Sequence, residues 1–315
     1  MTTRERPRGQ FGAHTDDTGR FVRPESRFRD RVTADGSSGF RAEPGRYHLY
    51  VSKACPWAHR SIIVRRLKQL EDVISMSIVD PVRDERGWAF REGSGHSHDP
   101  VNGFALLSEA YLATDPSFSG RITVPVLWDR EAGRIVNNES AEVIRMLNSE
   151  WDEWGDPAVD LYPAPLRDEI DAINDVVYRD VNNGVYRAGF ATTQEAYEEA
   201  FDALFERLGE LDRLLGTRRY LAGERITEAD WRLFTTLIRF DSVYAVHFKC
   251  NLRRVVDHAF LWPYLRDLYQ HPGVADTVDF DHIKRHYYVT HESINPIGIV
   301  PKGPELDLTQ PHGRG

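Results

Sequence analysis

The chain has 315 residues, a length typical of about two domains, and its 40 Lys and Arg against 49 Asp and Glu give a formal net charge of −9. This acidic balance provides no overall electrostatic reason to bind nucleic acid or an anionic membrane, and no apolar run approaches the roughly 18 residues that a membrane-spanning helix requires. The two cysteines, Cys55 and Cys250, exclude a disulfide scaffold and a four-cysteine zinc site and favour a cytoplasmic, reducing environment.

The first region, residues 1–45, is rich in arginine and glycine and has no helical or strand period. It lacks the apolar core of a secretory signal, and its acidic residues argue against an organelle transit peptide. Its phenylalanines Phe11, Phe21, Phe28 and Phe40 recur at a density that favours packing against other groups. We therefore predict an N-terminal extension that is partly disordered and partly extended along the folded body.

Residues 46–150 follow the order strand, helix, strand, loop, strand, strand, helix, as alternating strand formers and apolar periodicity indicate. The predicted strands are 46–52, 73–79, 122–129 and 134–137, and the predicted helices are 56–70, 104–112 and 139–147. Pro125 cannot donate to a strand ladder, so we expect it at an edge, a bulge or a cis bond. This order predicts an α/β domain.

The connection at 80–119 is a loop over much of its length, and long loops inside compact domains usually carry function. It contains the one close pair of histidines, His96 and His98, in a Gly/Ser-rich stretch without a carboxylate-rich partner motif. We therefore predict no metal site.

The second half of the chain has the apolar period of helices. After a linker at 151–164 that is rich in Trp and Pro, residues 165–290 repeat apolar positions every three to four residues, which predicts an all-helical domain. The Pro/Gly-rich tail at 291–315 is predicted to lie extended over the surface.

Two sequence patterns predict where helices of this second domain begin. Thr192 with Glu195 resembles a capping box, and Thr227 with Asp230 forms a second N-terminal capping pattern. Each precedes an amphipathic run, so we expect a helix after each of them.

Cys55 lies where a predicted strand changes to a helix, immediately before Pro56. A helix N-terminus presents unpaired N–H groups and a partial positive charge, and both favour the thiolate, the reactive form of cysteine. His59 and Arg60 lie one turn further on. The residue three positions after Cys55 is Ala58 rather than cysteine, so a disulfide formed at Cys55 must be resolved by an external thiol.

Two other features could bind a molecule that reacts with the Cys55 thiol. Val124, before Pro125, is predicted to leave its backbone N–H and C=O free for an extended, peptide-like ligand. The helix that begins at Glu139 and Ser140 offers N–H groups and a hydroxyl to a carboxylate, and the Glu139 side chain can accept from an ammonium. Together with Cys55, these features suit a small zwitterionic peptide that carries its own thiol.

Eight short segments distributed along the chain carry a family resemblance. They are Cys55-Pro56-Trp57-Ala58-His59-Arg60, Gly87-Trp88-Ala89-Phe90, residues 122–129, residues 135–140, residues 184–190, His247-Phe248-Lys249-Cys250-Asn251, His286-Tyr287-Tyr288 and Ile294-Asn295-Pro296. In these segments the chain resembles the glutathionyl-hydroquinone reductases, the xi class of soluble glutathione transferases. The resemblance covers nearly the whole chain from about residue 20. It implies the glutathione transferase fold, a thioredoxin-like α/β N-terminal domain followed by an all-α C-terminal domain.

The resemblance also implies a reaction and a set of residues. The Cys55 thiolate would attack the sulfur of an S-glutathionyl-hydroquinone, and a second glutathione would release Cys55 from the resulting mixed disulfide. The residues implied at the glutathionyl part are Trp88, Arg121, Val124 through its backbone, Glu139 and Ser140. The residues implied at the hydroquinone are Tyr186, Tyr244 and Tyr287, with Tyr288 as the alternative to Tyr287.

The implied partners are small molecules. Glutathione, or another low-molecular-weight thiol, would serve as co-substrate without a tightly bound cofactor, and the chain would form a homodimer.

Two alternative functions remain open at this stage. A general Cys-type thiol transferase, acting on dehydroascorbate or mixed disulfides, would share the Cys-Pro and Val-Pro motifs without needing the tyrosines. A non-catalytic binding module with a transferase-like fold would have an unreactive Cys55. Cys250 is interpreted as a buried structural residue.

Overall fold

A computed structural model describes residues 14–314, which form two compact units. The sheet unit contains residues 24–159 and 279–298, and the helical unit contains residues 14–23, 160–278 and 299–314. The part of the predicted extension that includes Phe11 lies outside the described residues.

A mixed four-stranded sheet is the centre of the sheet unit. Its strands are β1 (Tyr47–Val51), β2 (Ser75–Ile78), β3 (Val126–Asp129) and β4 (Arg134–Asn137), in the order β2-β1-β3-β4. β1 runs parallel to β2 and antiparallel to β3, and β3 runs antiparallel to β4. Every residue of β1 is buried, as expected for a central strand that is covered on both faces.

Three helices of the sheet unit follow the predicted order. They are α1 (Pro56–Leu67), α2 (Leu107–Thr114) and α3 (Ser140–Ser149). α1 ends three residues before the predicted Leu70, and Gln69 adopts the left-handed conformation with φ 55°, which stops the helix. β3 begins four residues later than predicted, after the cis bond between Val124 and Pro125.

The helical unit contains five α-helices and two π-helical turns. The α-helices are α4 (Arg167–Val176), α5 (Gly184–Gly189), α6 (Gln194–Leu215), α7 (Glu228–Arg239) and α8 (Leu261–Gln270), and the π-helical turns are Val177–Asn182 and Phe240–Tyr244. The prediction of a cap at Thr227 is confirmed, since Asp230 accepts a hydrogen bond from the Thr227 N–H at 2.8 Å. The cap of α6 is Thr193 and not the predicted Thr192, because the Thr193 side chain accepts from Ala196 N.

The last helix, α9 (Phe280–Thr290), groups with the sheet unit, although the predicted all-helical domain extended to residue 290. Its side chains contact the long loop between β2 and α2, which no local sequence pattern indicates. Among residues 14–314, no helix is long and apolar enough to cross a membrane.

Aromatic side chains of the N-terminal segment pack as the sequence predicts. In the sheet unit, the Phe28 ring lies 5.6 Å from the ring of Tyr111 and 5.7 Å from that of Phe118. In the helical unit, Phe21 is buried and its ring lies 5.6 Å from that of Phe190. Residues 14–45 contain no helix or strand of their own, so these contacts fix an irregular segment.

Candidate functional site

Cys55 is the N-cap residue of α1, and Pro56 starts the helix. Proline suits this first position because its fixed φ is already helical and the N–H that it lacks would have no helical partner. Cys55 is partly exposed, and its Sγ lies 3.7 Å from the carbonyl oxygen of Val124. Cys55 therefore lies at the helix end where the first N–H groups of α1 are unpaired, although its side chain makes no cap hydrogen bond.

Val124 lies just outside the sheet ladder. The first residue of β3, Val126, pairs with Tyr50 of β1, and the Val124–Pro125 peptide bond before it is cis. Within residues 14–314, the Val124 N–H has no hydrogen-bond partner. Its carbonyl, which the sequence also predicted to be free, instead accepts from the Cys55 thiol at 3.7 Å. The backbone donor that the sequence predicted to be free at this position is therefore available for a ligand beside the sulfur.

The N-terminus of α3 contains the next two predicted residues. Glu139 is the N-cap, and its carboxylate accepts from Ala141 N at 3.1 Å and from the Ser26 hydroxyl at 2.9 Å. Ser140 is the first helical residue, and Arg60 Nη1 donates to its hydroxyl at 3.4 Å. A ligand carboxylate at this helix end would meet N–H groups and a hydroxyl, and Glu139 would attract an ammonium.

Trp88 and Arg121 occupy the irregular segments of the sheet unit. Trp88 is 4 % exposed and lies between β2 and α2, and its indole ring stacks on the His286 ring with centroids 5.0 Å apart. Arg121 is half-buried, three residues before Val124. Both residues lie in segments without regular structure, so their placement depends on side-chain contacts.

Tyr287 and Tyr288 belong to α9, and both are buried. The Tyr287 ring packs against those of His286 and His291, with centroids 5.2 Å and 5.4 Å apart. The Tyr288 backbone carbonyl accepts from the Asn295 side chain at 2.7 Å, and burial raises the pKa of the Tyr288 hydroxyl to about 12. The sequence preference for Tyr287 over Tyr288 therefore stays a prediction, since burial alone does not separate them.

Tyr186 and Tyr244 come together in the helical unit. Tyr186 lies on α5 and Tyr244 ends the second π-helical turn, and their ring centroids are 6.0 Å apart. Both rings pack on Phe248, each at 5.5 Å. Gly189 permits this packing, because a Cβ at that position would lie only 2.1 Å from the Phe248 ring.

Local sequence reasoning missed several contacts of the predicted site residues. Ser26 binds Glu139, and Arg23 places its guanidinium 4.8 Å from the centre of the Tyr186 ring. His286, which the sequence only placed in a motif, contacts Trp88. Ser26 and Arg23 lie in a segment without period, so only its recurring phenylalanines indicated that it packs at all.

The second cysteine is in a different environment. Cys250 is fully buried, and its thiol donates to the Phe248 carbonyl at 3.7 Å. Burial raises the pKa of the Cys250 thiol, because an anion in apolar surroundings loses its hydration. Neither cysteine is in a disulfide, and residues 14–314 contain no group of three or more His, Cys, Asp or Glu that could hold a metal ion.

Comparison with protein-family models identifies the class of protein. Residues 54–150 match the glutathione S-transferase N-terminal domain, and residues 194–287 match the glutathione S-transferase C-terminal domain. The predicted fold class is thereby confirmed: an α/β thioredoxin-like half is followed by a helical half.

Three relatives narrow the class. Glutathionyl-hydroquinone reductase YqjG of Escherichia coli K12 is 53 % identical to this chain, over 94 % of this chain and 92 % of its own. The glutathione-bound structure of YqjG superposes with a TM-score of 0.90, covering 91 % of this chain and 96 % of that one. Glutathionyl-hydroquinone reductase PcpF of Sphingobium chlorophenolicum is 54 % identical, covering 92 % and 91 %. A xi-class glutathione transferase structure from Natrialba magadii is 53 % identical with a TM-score of 0.90, covering 91 % and 88 %. The chain therefore belongs to the glutathione S-transferase family and, within it, to the xi class of glutathionyl-hydroquinone reductases.

Proposed function

We propose that this chain is an enzyme that reduces S-glutathionyl-hydroquinones to hydroquinones at the expense of glutathione. The overall reaction converts one glutathionyl-hydroquinone and one glutathione into one hydroquinone and one glutathione disulfide. The carbon–sulfur bond of the conjugate breaks and a sulfur–sulfur bond forms. Two relatives that are more than 50 % identical over nearly their whole length bear the name of this activity.

In the first step, the Cys55 thiolate attacks the sulfur of the conjugate. The electron pair of the carbon–sulfur bond passes to the ring carbon, which takes a proton, and the hydroquinone leaves. Cys55 becomes a mixed disulfide with glutathione. The position of Cys55 at the N-cap of α1 supports this role, because helix N–H groups stabilise the attacking anion.

In the second step, the thiolate of a free glutathione attacks the glutathionyl sulfur of the mixed disulfide. This displacement releases glutathione disulfide and regenerates the Cys55 thiolate. Ala58 stands where a dithiol enzyme would carry its resolving cysteine, and Cys250 is fully buried. Both facts favour resolution by an external thiol.

The glutathionyl group would bind along the sheet unit beside Cys55. Its backbone would pair with the free Val124 N–H, a carboxylate would lie at the N-terminus of α3 near Ser140, and its ammonium would face Glu139. Trp88 and Arg121 would contribute the remaining contacts, as the family resemblance implies. The site would thus recognise a zwitterionic tripeptide through backbone N–H donors for its carboxylate and the negative charge of Glu139 for its ammonium.

Tyr186, Tyr244 and Tyr287 would act on the hydroquinone. A phenol can donate a hydrogen bond to the substrate hydroxyls and stabilise the negative charge that develops as the carbon–sulfur bond breaks. One phenol would also supply the proton to the ring carbon. The close packing of Tyr186 with Tyr244 supports a shared aromatic surface for an aromatic substrate.

One observation carries this proposal: the partly exposed Cys55 is the N-cap residue of α1, and its Sγ lies 3.7 Å from the carbonyl of Val124, whose N–H has no hydrogen-bond partner within residues 14–314. The decisive experiment is intact-mass spectrometry after mixing the protein with a glutathionyl-hydroquinone in the absence of free glutathione. We expect one adduct with the mass of a glutathionyl group on Cys55 and one equivalent of hydroquinone released. Added glutathione should then remove the adduct and produce glutathione disulfide.

Two variants serve as matched controls for this experiment. Cys250→Ser should form the same adduct at the same rate, and Cys55→Ser should form none. An adduct that retains the hydroquinone ring, or hydroquinone release by Cys55→Ser, would contradict attack on sulfur by Cys55. Mixing with hydroquinone conjugates of other low-molecular-weight thiols would establish the thiol donor through the mass of the adduct.

We also propose that the enzyme works as a cytoplasmic homodimer. The two free cysteines suit a reducing compartment, where glutathione is available, and dimers are implied by the family resemblance. Light scattering of the purified protein tests the oligomeric state: the mass of two chains is expected, and the mass of one chain would contradict it.

A further inference from the structure

Trp88 lies in a segment that has no helix or strand of its own, between β2 and α2. Its backbone carbonyl accepts from Leu107 N at 2.9 Å, which attaches the segment to the start of α2. Its indole N–H has no hydrogen-bond partner among residues 14–314, so no such bond sets the rotation of the ring. The ring orientation must therefore come from the groups packed against it.

One of the groups packed against the Trp88 ring belongs to the last helix. The His286 ring of α9 stacks on the Trp88 indole with centroids 5.0 Å apart and an interplanar angle of 19°. His286 Nδ1 lies 2.7 Å from the Pro81 carbonyl oxygen. Because a carbonyl only accepts, this nitrogen carries the hydrogen, and the bond fixes the plane of the imidazole. A fixed imidazole in turn fixes the indole that lies parallel to it.

Thr290, one turn further along α9, strengthens the same attachment. Its hydroxyl oxygen accepts from Arg83 N at 3.2 Å, and the Arg83 guanidinium lies 5.0 Å from the Trp88 ring centre. The backbone at Pro81 and at Arg83 is thus bonded to two side chains of one helix. These contacts hold both sides of the turn that leads to Trp88.

The N-terminal turn of α9 holds two other parts of the sheet unit. His282 Nε2 lies 2.7 Å from the Ser94 carbonyl oxygen, in the second half of the same long loop. Asp279, the N-cap of α9, lies 3.5 Å from Lys53 Nζ, two residues before Cys55. α9 therefore contacts both the segment that carries Trp88 and the segment that leads to the nucleophile.

We propose that His286 is a positioning residue that orients Trp88 for the glutathionyl group, and that α9 thereby belongs to the thiol-binding machinery of the sheet unit. The inference rests on the proposed function, in which Trp88 contacts the glutathionyl group. It assigns His286 no contact with the substrate and no proton transfer.

Three substitutions at position 286 separate the stacking of the ring on Trp88 from its hydrogen bond to the Pro81 carbonyl. His286→Asn keeps a donor for the Pro81 carbonyl and loses the stack, whereas His286→Phe keeps an aromatic ring and loses the donor. His286→Ala loses both. We expect KM for the glutathionyl conjugate to rise about tenfold in His286→Ala and less in the other two variants. The alkylation rate of Cys55 by iodoacetamide should change less than twofold in all three variants. The kcat should change less than twofold in His286→Phe, which keeps a ring beside Tyr287.

A double-mutant cycle with Trp88→Phe distinguishes positioning from a general loss of stability. If His286 acts through Trp88, then His286→Ala should add little to the KM of Trp88→Phe, because the two residues share one effect. The matched control is His271→Asn in the helical unit, where the His271 ring lies 5.7 Å from that of Trp231. This control should leave KM unchanged even if it lowers the melting temperature.

The failures of the inference and of the proposed function are distinguishable. Unaltered protein that forms no Cys55 adduct would refute the function itself. The role of His286 alone would be overturned by a different result. In that case the unaltered protein works normally and Trp88→Phe raises KM, but His286→Ala leaves KM unchanged. Additive effects of the two substitutions on KM would overturn it as well.

Discussion

Ser26 donates its hydroxyl to the Glu139 carboxylate at 2.9 Å, so a residue of the irregular N-terminal segment holds the N-cap of α3. In the proposed function this carboxylate faces the ammonium of glutathione. Ser26→Ala removes the hydroxyl and leaves the carboxylate less restrained. We expect KM for glutathione to rise about fivefold, which corresponds to about 1 kcal/mol, with kcat unchanged. Steady-state kinetics with Ser37→Ala, an exposed serine of the same segment, is the control. An equal rise in both variants would contradict the role of Ser26.

The two cysteines should differ sharply in reactivity. Cys55 is partly exposed at a helix N-terminus, whereas Cys250 is fully buried and burial raises the pKa of its thiol. Treatment of the native protein with iodoacetamide at pH 7.5 should therefore modify Cys55 alone, and unfolding in urea should expose both sulfurs. Peptide mapping by mass spectrometry measures the outcome. A Cys55 that stays unmodified under these conditions would support the binding-module alternative.

Replacement of the three tyrosines by phenylalanine separates the proposed reductase from a general thiol transferase. Tyr186→Phe, Tyr244→Phe and Tyr287→Phe keep the rings and remove the phenol hydroxyls. We expect each to lower kcat for glutathionyl-hydroquinones by at least about tenfold, and the one that supplies the proton by about a hundredfold or more, as is usual for general acid catalysis. Each should leave the reduction of a small aliphatic disulfide nearly intact. Tyr197→Phe is the matched control, since its hydroxyl donates to the Lys249 carbonyl at 2.8 Å. Parallel loss of both activities would favour the general transferase.

His48 should make the fold sensitive to acid. Its ring nitrogens lie 2.7 Å from Ser75 Oγ and 2.9 Å from Ser77 Oγ, and burial lowers its pKa to about 4 from 6.5. As the pH falls, His48 therefore takes up a proton in the unfolded chain at a higher pH than in the folded protein. The contribution of neutral His48 to stability is complete above pH 6.5 and falls as the pH drops towards 4. By pH 4.5 this group alone should remove roughly 2–3 kcal/mol from the free energy of unfolding. Urea titrations at pH 7.5 and 4.5 measure the effect.

The variant His48→Gln tests whether this histidine is responsible. Glutamine can bond one serine but takes up no proton, so the variant should be less stable at pH 7.5 and lose less stability between pH 7.5 and 4.5. An unchanged pH dependence would assign the acid sensitivity to other groups.

The cap of α7 should be among the most costly polar positions to alter. Asp230 is fully buried and accepts from Leu221 N at 3.0 Å, from Thr227 N at 2.8 Å and from the Tyr264 hydroxyl at 2.8 Å. Asp230→Ala leaves these donors buried without their acceptor and should cost about 3 kcal/mol or more.

The cap of α6 provides the comparison for Asp230. Thr193→Ala removes a cap that accepts one bond at 3.3 Å on an exposed helix end, and it should cost about 1 kcal/mol. Thr192→Ala, at the position the sequence favoured, should cost less than Thr193→Ala. Thermal unfolding ranks the three variants, and an equal effect of Asp230→Ala and Thr193→Ala would contradict the importance of burial.

The local features of the chain were predictable from the sequence because they depend on neighbouring residues. Cys55 before Pro56, the proline after Val124 and the Thr227–Asp230 cap each involve residues within a few positions of one another, and each was found as predicted. The N-cap of α6 was misplaced by one residue, because Thr192 and Thr193 carry equivalent side chains. The start of β3 was misplaced because strand-forming residues continue through Ile122 and Val124, although pairing with β1 begins only at Val126.

The sequence by itself determined which backbone groups and which sulfur were available, since helix capping and the geometry around proline follow from short stretches of chain. The tertiary structure decided which distant side chains complete the site. Ser26 reaches Glu139 across 113 positions, and His286 stacks on Trp88 although their positions differ by 198. Such contacts leave no periodic pattern, because they depend on how whole elements pack and not on the conformation of any one segment.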